Sequence, residues 1–202
     1  MPPTRAGRTR PQRGTPPPLN GLPLAPEPTS WDATGDTIDI DGFAPSGDAL
    51  ESVAQLAIRQ NMAFRGTHPV TIIHEDMPQD AYRLSIRPDT ITIHAASYGG
   101  QFYAGITLMT LLRHGPLPCG DMTDAPRFDW RGQHLDTTRH YYDPTSITAL
   151  LDLMAMLKLN RFHWHFADDE AFRLQIACLP ELWQQTEMRG EDQMIPAVFP
   201  GA

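Results

Sequence analysis

Residues 128–170, FDWRGQHLDTTRHYYDPTSITALLDLMAMLKLNRFHWHFADDE, decide the fold, because their hydrophobic rhythm changes twice. FDWRGQHLD (128–136) reads as a strand, and Asp143-Pro144 supplies a helix N-cap with proline at the first helical position. Ile147, Leu150, Leu151, Met154 and Leu157 follow the spacing of one helix face, and Asn160 is expected to close that helix. RFHWHF (161–166) is the next strand. Strand, helix and strand make a βαβ unit with parallel strands, and such folds place their chemistry just past the strand ends. Asp136, Arg139 and His140 after the first strand, and Asp168, Asp169 and Glu170 after the second, are therefore expected to converge at one rim.

Upstream, the pattern is α+β. TIDI (37–40) reads as a short strand, and Ser46 as the cap of a helix with Leu50, Val53, Ala54 and Ala57 on one face. VTIIH (70–74) is a further strand, while YRLSIRP and ITIHA, separated by Pro88-Asp89-Thr90, read as a hairpin. Ser97 caps another predicted helix, whose face is Phe102, Gly105, Ile106, Met109 and Leu112, with Gly99, Gly100 and Gly105 permitting close backbone approach. The turn formers of HGPLPCGDMTDAPRF place a domain boundary at about residue 120.

Composition narrows the function classes. The 202 residues are 41% hydrophobic, enough for a real core, and carry a formal net charge of −8. Residues 1–30 hold Arg5, Arg8, Arg10 and Arg13 against Glu27, leaving −11 on the remainder, and an acidic body argues against nucleic acid as partner. The Pro/Arg-rich leader has neither the apolar stretch of a signal peptide nor the helical character of a transit peptide, so it reads as disordered and the location as cytoplasmic. No stretch approaches the ~20 apolar residues that span a bilayer, so no membrane partner is expected. Cys119 and Cys178 match no metal or redox spacing and are expected to be buried free thiols.

The polar cluster admits several readings. His163 and His165 share one strand face with Arg161, and Phe162, Trp164 and Phe166 share the other. Both imidazoles can be satisfied interior groups. Alternatively, H-x-H on a barrel strand presents two nitrogens to one metal ion, with Asp168 as a further ligand in a metal-dependent hydrolase. Asp169 and Glu170 can cap a helix or face water, or act as the carboxylate pair of a glycosidase.

PRF-x-WRG-x-x-LD-x-x-RH, then MA-x-x-KLN and HWH-x-x-DD, stand here in order within residues 126–169. They resemble the opening of the catalytic barrel of glycoside hydrolase family 20, the β-N-acetylhexosaminidases, and YRLSIRPDTITIHAASYGGQFYAGITLMTLL resembles the α+β domain that precedes it. The resemblance implies an α/β chain in three parts. A disordered leader (1–30) precedes a small α+β N-terminal domain (31–120) and the first βαβ unit or units of an incomplete (β/α)8 TIM barrel (121–202). It implies hydrolysis of terminal N-acetylhexosamine residues of a glycan, with no cofactor and no metal. In this substrate-assisted reaction the sugar's 2-acetamido carbonyl attacks its own anomeric carbon, a glutamic acid protonates the leaving oxygen, and the preceding aspartate orients the acetamido nitrogen. By the same resemblance Arg139 grips sugar hydroxyls. Asp168 tunes the catalytic acid through a histidine, and His163 and His165 support the site from the interior. The pattern departs at Glu170-Ala171-Phe172, where bacterial relatives often have Gln-Gly-Trp.

The family's catalytic Asp-Glu belongs to an H-x-G-G-D-E motif, which these 202 residues lack. Asp169-Glu170 occupies the wrong loop, so the expectation is that no catalytic acid lies in the chain. A barrel takes ~250 residues, which leads us to expect a truncated piece of a longer enzyme, inactive alone. A non-catalytic sugar-binding or interaction protein built on the same fold is the alternative from another class.

Overall fold

The computed structural model describes residues 21–168 and 171–185. Ser30–Ile38 (β1), Phe43–Ala44 (β2), His68–His74 (β3), Tyr82–Ile86 (β4), Ile91–Ala95 (β5) and Leu117–Asp124 (β6) form a six-stranded sheet in the order β1-β6-β4-β5-β3-β2. Pairing is antiparallel from β1 to β5 across that order and parallel from β5 to β2. Tyr82, Leu84 and Ile86 of β4, with Ile91, Ile93 and Ala95 of β5, are buried, while Arg83 between them is exposed. Strand alternation thus sends one face to the core and the other to solvent. The predicted hairpin forms, closed by Arg87 N–H donating to Thr90 O at 3.1 Å.

Gly47–Arg59 (α1) and Tyr98–Arg113 (α2) cover the buried face. The Ser97 hydroxyl accepts from Gly100 N–H at 3.1 Å, as expected of an N-cap. Ser46 occupies the N-cap of α1 but makes no side-chain capping bond. A Cβ on Gly105 would lie 2.9 Å from both Leu50 and Val53, so its missing side chain lets α2 settle against α1. The single apolar face expected for α2 is too narrow a description. Tyr103, Ala104, Thr107, Leu108 and Leu111 are also buried, because the helix lies between the sheet and the segment that follows β6.

Several other expectations need correction. β1 starts at Ser30, well before TIDI, with an irregularity between Ala33 and Thr37; only Trp31 and Ile38 along it are buried, so it carries little apolar signal. The boundary expected near residue 120 falls inside β6, which runs to Asp124 between β1 and β4; Pro118 and Gly120 are tolerated because Pro118 pairs beside that irregularity and Gly120 admits the Trp31 ring. Of the disordered leader, residues 1–20 lie outside the described residues, whereas Leu22 and Pro28 are buried and Leu24 packs on the core. Cys119 is buried, but Cys178 sits in a surface turn and is exposed.

Beyond β6, Gly132–Asp136 (β7), Pro144–Met156 (α3) and Arg161–His165 (β8) form the predicted βαβ unit, the strands parallel from Gly132 opposite Arg161 to Asp136 opposite His165. Asp143 caps α3 by accepting from Ser146 N–H at 2.9 Å. The helix ends at Met156, with Leu157 as its C-cap and Lys158 in the left-handed region, so Asn160 is not its terminator; the Asn160 carboxamide instead accepts from Arg131 N–H at 3.0 Å. Of the expected apolar stripe only Met154 is fully buried, and Leu151 and Leu157 are exposed, because α3 rests on just two strands among the described residues. Ala167–Asp168 (β9) pairs antiparallel with Ala171–Phe172 (β10), and Glu181–Gln184 (α4) follows. Among the described residues no helix is long and apolar enough to cross a membrane.

One buried and one partly buried polar cluster tie the βαβ unit to the N-terminal domain. Lys158 Nζ donates to Asp124 at 2.7 Å and to Tyr82 Oη at 2.8 Å, and Tyr82 also meets Thr107 at 2.6 Å. Arg131 donates to Asp80 at 3.0 Å and, through Nε, to Lys158 O at 2.8 Å. On the outside, Arg59 of α1 forms a fork with Asp152 of α3, its shortest contact 2.8 Å. The Arg131, Lys158 and Asn160 of the WRG and KLN motifs are therefore builders of the junction that fixes where β7 and β8 stand.

Candidate active site

The rim is built where β7 and β8 end. Asp136 is the last residue of β7, and one of its oxygens accepts from Thr138 N–H at 2.9 Å, from the Thr138 hydroxyl at 2.6 Å and from Arg139 N–H at 3.3 Å. Asp-Thr-Thr thus folds back on its own carboxylate, a local habit of aspartate in turns. The other oxygen takes Arg139 Nη1 at 2.7 Å. Burial pushes the Asp136 carboxyl up, but the hydrogen bonds from Thr138 and Arg139 outweigh it and hold the group well below the usual carboxylate range.

Arg139 reaches across to the segment that follows β8, where its Nη2 lies 2.7 Å from Asp168 of β9. Its side chain remains 40% exposed. The hydrogen bond to Asp136 raises the guanidinium further above its ordinary value, and the Asp168 charge adds to that. His165 lies beside the same pair, Nε2 3.4 Å from Asp168 and Nδ1 3.6 Å from Asp136. A planar cation oriented by two carboxylates at a strand-end rim presents directed N–H donors, which suits neighbouring hydroxyls better than a point charge would.

Of the residues singled out from sequence, Arg139, Asp168 and His165 come together. His163 does not join them. Its ring stacks edge-on against His134 across the strand pair, centroids 4.7 Å apart, and His134 also lies 5.9 Å from His165, so all three imidazoles share one face of the β7–β8 ribbon. His140 turns away onto Tyr142. Asp169 and Glu170 lie outside the described residues. Among the described residues no group of three or more His, Cys, Asp or Glu side chains is placed to hold a metal ion.

Sequence reasoning missed the frame behind this rim. Thr137 and Thr138 are buried, at 1% and 0% exposure. Thr137 N–H donates to His165 O at 2.9 Å, and Trp164 Nε1 donates to the Thr137 hydroxyl at 3.0 Å. Arg173, from beyond β10, donates to Thr137 O at 3.1 Å and Thr138 O at 3.2 Å. The Asp-Thr-Thr turn was visible in the sequence; its distant partners were not.

Two family models match the chain. The family model described as "Glycosyl hydrolase family 20, domain 2" matches residues 22–125, ending where β6 ends, and "Glycosyl hydrolase family 20, catalytic domain" matches residues 128–198. N,N'-diacetylchitobiase of Vibrio harveyi is 37% identical over 175 residues, 79% of this chain and 20% of the relative. A β-hexosaminidase of Vibrio furnissii is 36% identical over 127 residues, 59% of this chain and again 20% of the relative. Among solved structures, the family 20 exo-β-N-acetylglucosaminidase of Vibrio harveyi in complex with N-acetylglucosamine aligns with a TM-score of 0.73 at 29% identity, over 87% of this chain and 30% of that one. The chain thus spans about a fifth of the length of these curated relatives. With one family model alone covering residues 22–125, more than half of the sequence, and a second taking up most of the rest, the chain belongs to glycosyl hydrolase family 20.

Proposed function

We propose that this chain supplies the sugar-gripping rim of a β-N-acetylhexosaminidase that releases terminal non-reducing N-acetylhexosamine from glycans with retention. The observation that carries the reading is Arg139 held between Asp136, at the end of β7, and Asp168, in the short strand that follows the end of β8. The two carboxylates fix the plane of the guanidinium, and its donors then engage hydroxyls of the terminal sugar. Asp168 also stands beside His165, Nε2 3.4 Å away, so one carboxylate orients both the guanidinium and a neighbouring imidazole. In the substrate-assisted reaction the acetamido oxygen of the substrate attacks the anomeric carbon, the glycosidic oxygen leaves with a proton from a glutamic acid, and water opens the oxazolinium ring. These 202 residues contribute the grip, and no H-x-G-G-D-E motif within them contributes the proton.

Hydrolysis of 4-nitrophenyl N-acetyl-β-D-glucosaminide and its galactosaminide counterpart tests the proposal. Protein expressed from its native gene is expected to release 4-nitrophenol, and the 202-residue chain alone is expected not to. Turnover by the 202-residue chain would overturn the assignment of the acid. Absence of turnover on both substrates by the native protein would overturn the activity.

A further inference from the structure

We infer that Arg173 is a positioning residue for Arg139, coupling the loop after β10 to the loop after β7 and so setting the affinity of the sugar grip. The inference rests on the reading of Arg139 as the residue that engages sugar hydroxyls.

The Asp-Thr-Thr turn orients Arg139 only relative to Asp136. A strand-end loop with local bonds alone is free to move as a body. Beyond the direct Arg139–Asp168 ion pair, this one is anchored by a set of contacts from later in the chain: His165 O, the Trp164 indole and the Arg173 guanidinium all meet Thr137 or Thr138. Arg173 is distinct among them in taking two consecutive backbone carbonyls, those of the residues just before Arg139. Both residues are buried, so these carbonyls need partners from the protein. A fork with divergent N–H groups meets two such acceptors, whereas an ammonium has no fixed fork with which to do so.

Arg173 is itself fixed. Its own N–H donates to Phe166 O at 2.9 Å, Ala171 is buried, and Phe172 stacks edge-on against Phe166 at 5.8 Å. The Ala171-Phe172 segment just before Arg173 therefore helps to seat it. A change in how it packs reaches the sugar through the Arg173 fork, the Thr137 and Thr138 carbonyls and Arg139, with no contact between the loop and the ligand required.

Arg173→Lys keeps the stem and the charge but removes the fork, and is the main test. In the 202-residue chain, amide exchange of Thr138 and Arg139 is expected to accelerate at least tenfold in Arg173→Lys, while amides of α1 and α2 keep their protection. In protein expressed from its native gene, KM for 4-nitrophenyl N-acetyl-β-D-glucosaminide is expected to rise about tenfold with a smaller change in kcat, as when ground-state and transition-state binding are lost together. In an Arg139→Met background the further effect of Arg173→Lys is expected to vanish, the signature of two residues acting as one unit. Wild-type exchange and KM in Arg173→Lys overturn the inference, as does an undiminished KM effect in the Arg139→Met background. A wild-type KM in Arg139→Met alone instead overturns the reading of Arg139 on which the inference rests.

Discussion

Lys158 Nζ lies 2.7 Å from Asp124 Oδ2, joining the residue just past α3 to the last residue of β6 in a contact whose side chains are 11% and 12% exposed. Burial lowers the Lys158 ammonium from its ordinary value, and Asp124 acts in the opposite direction. Burial also raises the Tyr82 phenol well above its usual range, with the Asp124 charge adding to that, so the phenol stays protonated as a donor and acceptor in this group. Two charges out of water stay tolerable only while each has the other.

Lys158→Met is therefore expected to cost about 3 kcal/mol or more, because it leaves the Asp124 carboxylate buried without its cation. Lys158→Met combined with Asp124→Leu is expected to recover much of that loss. Urea unfolding of the three proteins checks this, and a double variant no more stable than the single one would speak against a desolvated pair.

Arg131 is expected to resist conservative exchange. It serves Asp80, Lys158 O and Phe128 O from one guanidinium, and its ring-face contact with Tyr103 is 5.6 Å from the centroid. Arg131→Lys keeps the charge and loses the geometry, so a loss of about 2 kcal/mol is expected. A Tm equal to that of the wild type would show that the fork is dispensable.

Acid should loosen the outer fork as well as the rim. The hydrogen bond from Arg59 lowers the Asp152 carboxyl, and Asp136 is lowered more strongly despite its burial. For a depressed carboxyl, the stabilisation is present above the unfolded value of about 4 and is lost as pH falls from there towards the folded value. Stability measured by urea between about pH 7 and pH 3 is thus expected to fall mainly below about pH 4. Asp152→Asn is expected to flatten part of that fall and to cost about 1 kcal/mol at pH 7, a modest figure because Arg59 is half exposed. An unchanged pH profile in Asp152→Asn would contradict this assignment.

The βαβ unit could be read from sequence because each of its signals is local: the Asp143-Pro144 start, the stripe from Ile147 to Leu157, and alternation in RFHWH. The hairpin of β4 and β5 was legible for the same reason. β6 was not, since Pro118, Gly120 and Pro116 look like a linker, and only its neighbours β1 and β4 on either side make it a strand. The rim divides the same way. Arg139 and Asp168 followed from a motif, but their mutual contact spans the chain from one strand end to the other. Arg173 and the burial of Thr137 and Thr138 depend on a return of the chain that no nearby spacing announces. Lys158 and Arg131 could be seen as motif residues, while their service at the junction needed Asp124 and Asp80 in space.

Recognition of a terminal N-acetylhexosamine by the carboxylate-held guanidinium of Arg139, as proposed above, is tested by titrating the 202-residue chain with N-acetylglucosamine. Followed by NMR of the arginine side chains, the Arg139 Nε–H signal is predicted to shift saturably, and Arg139→Met is predicted to weaken binding at least tenfold while leaving the sheet resonances in place. Binding of equal strength in Arg139→Met, or an Arg139 signal unmoved at saturating sugar, would show that Arg139 does not grip the sugar.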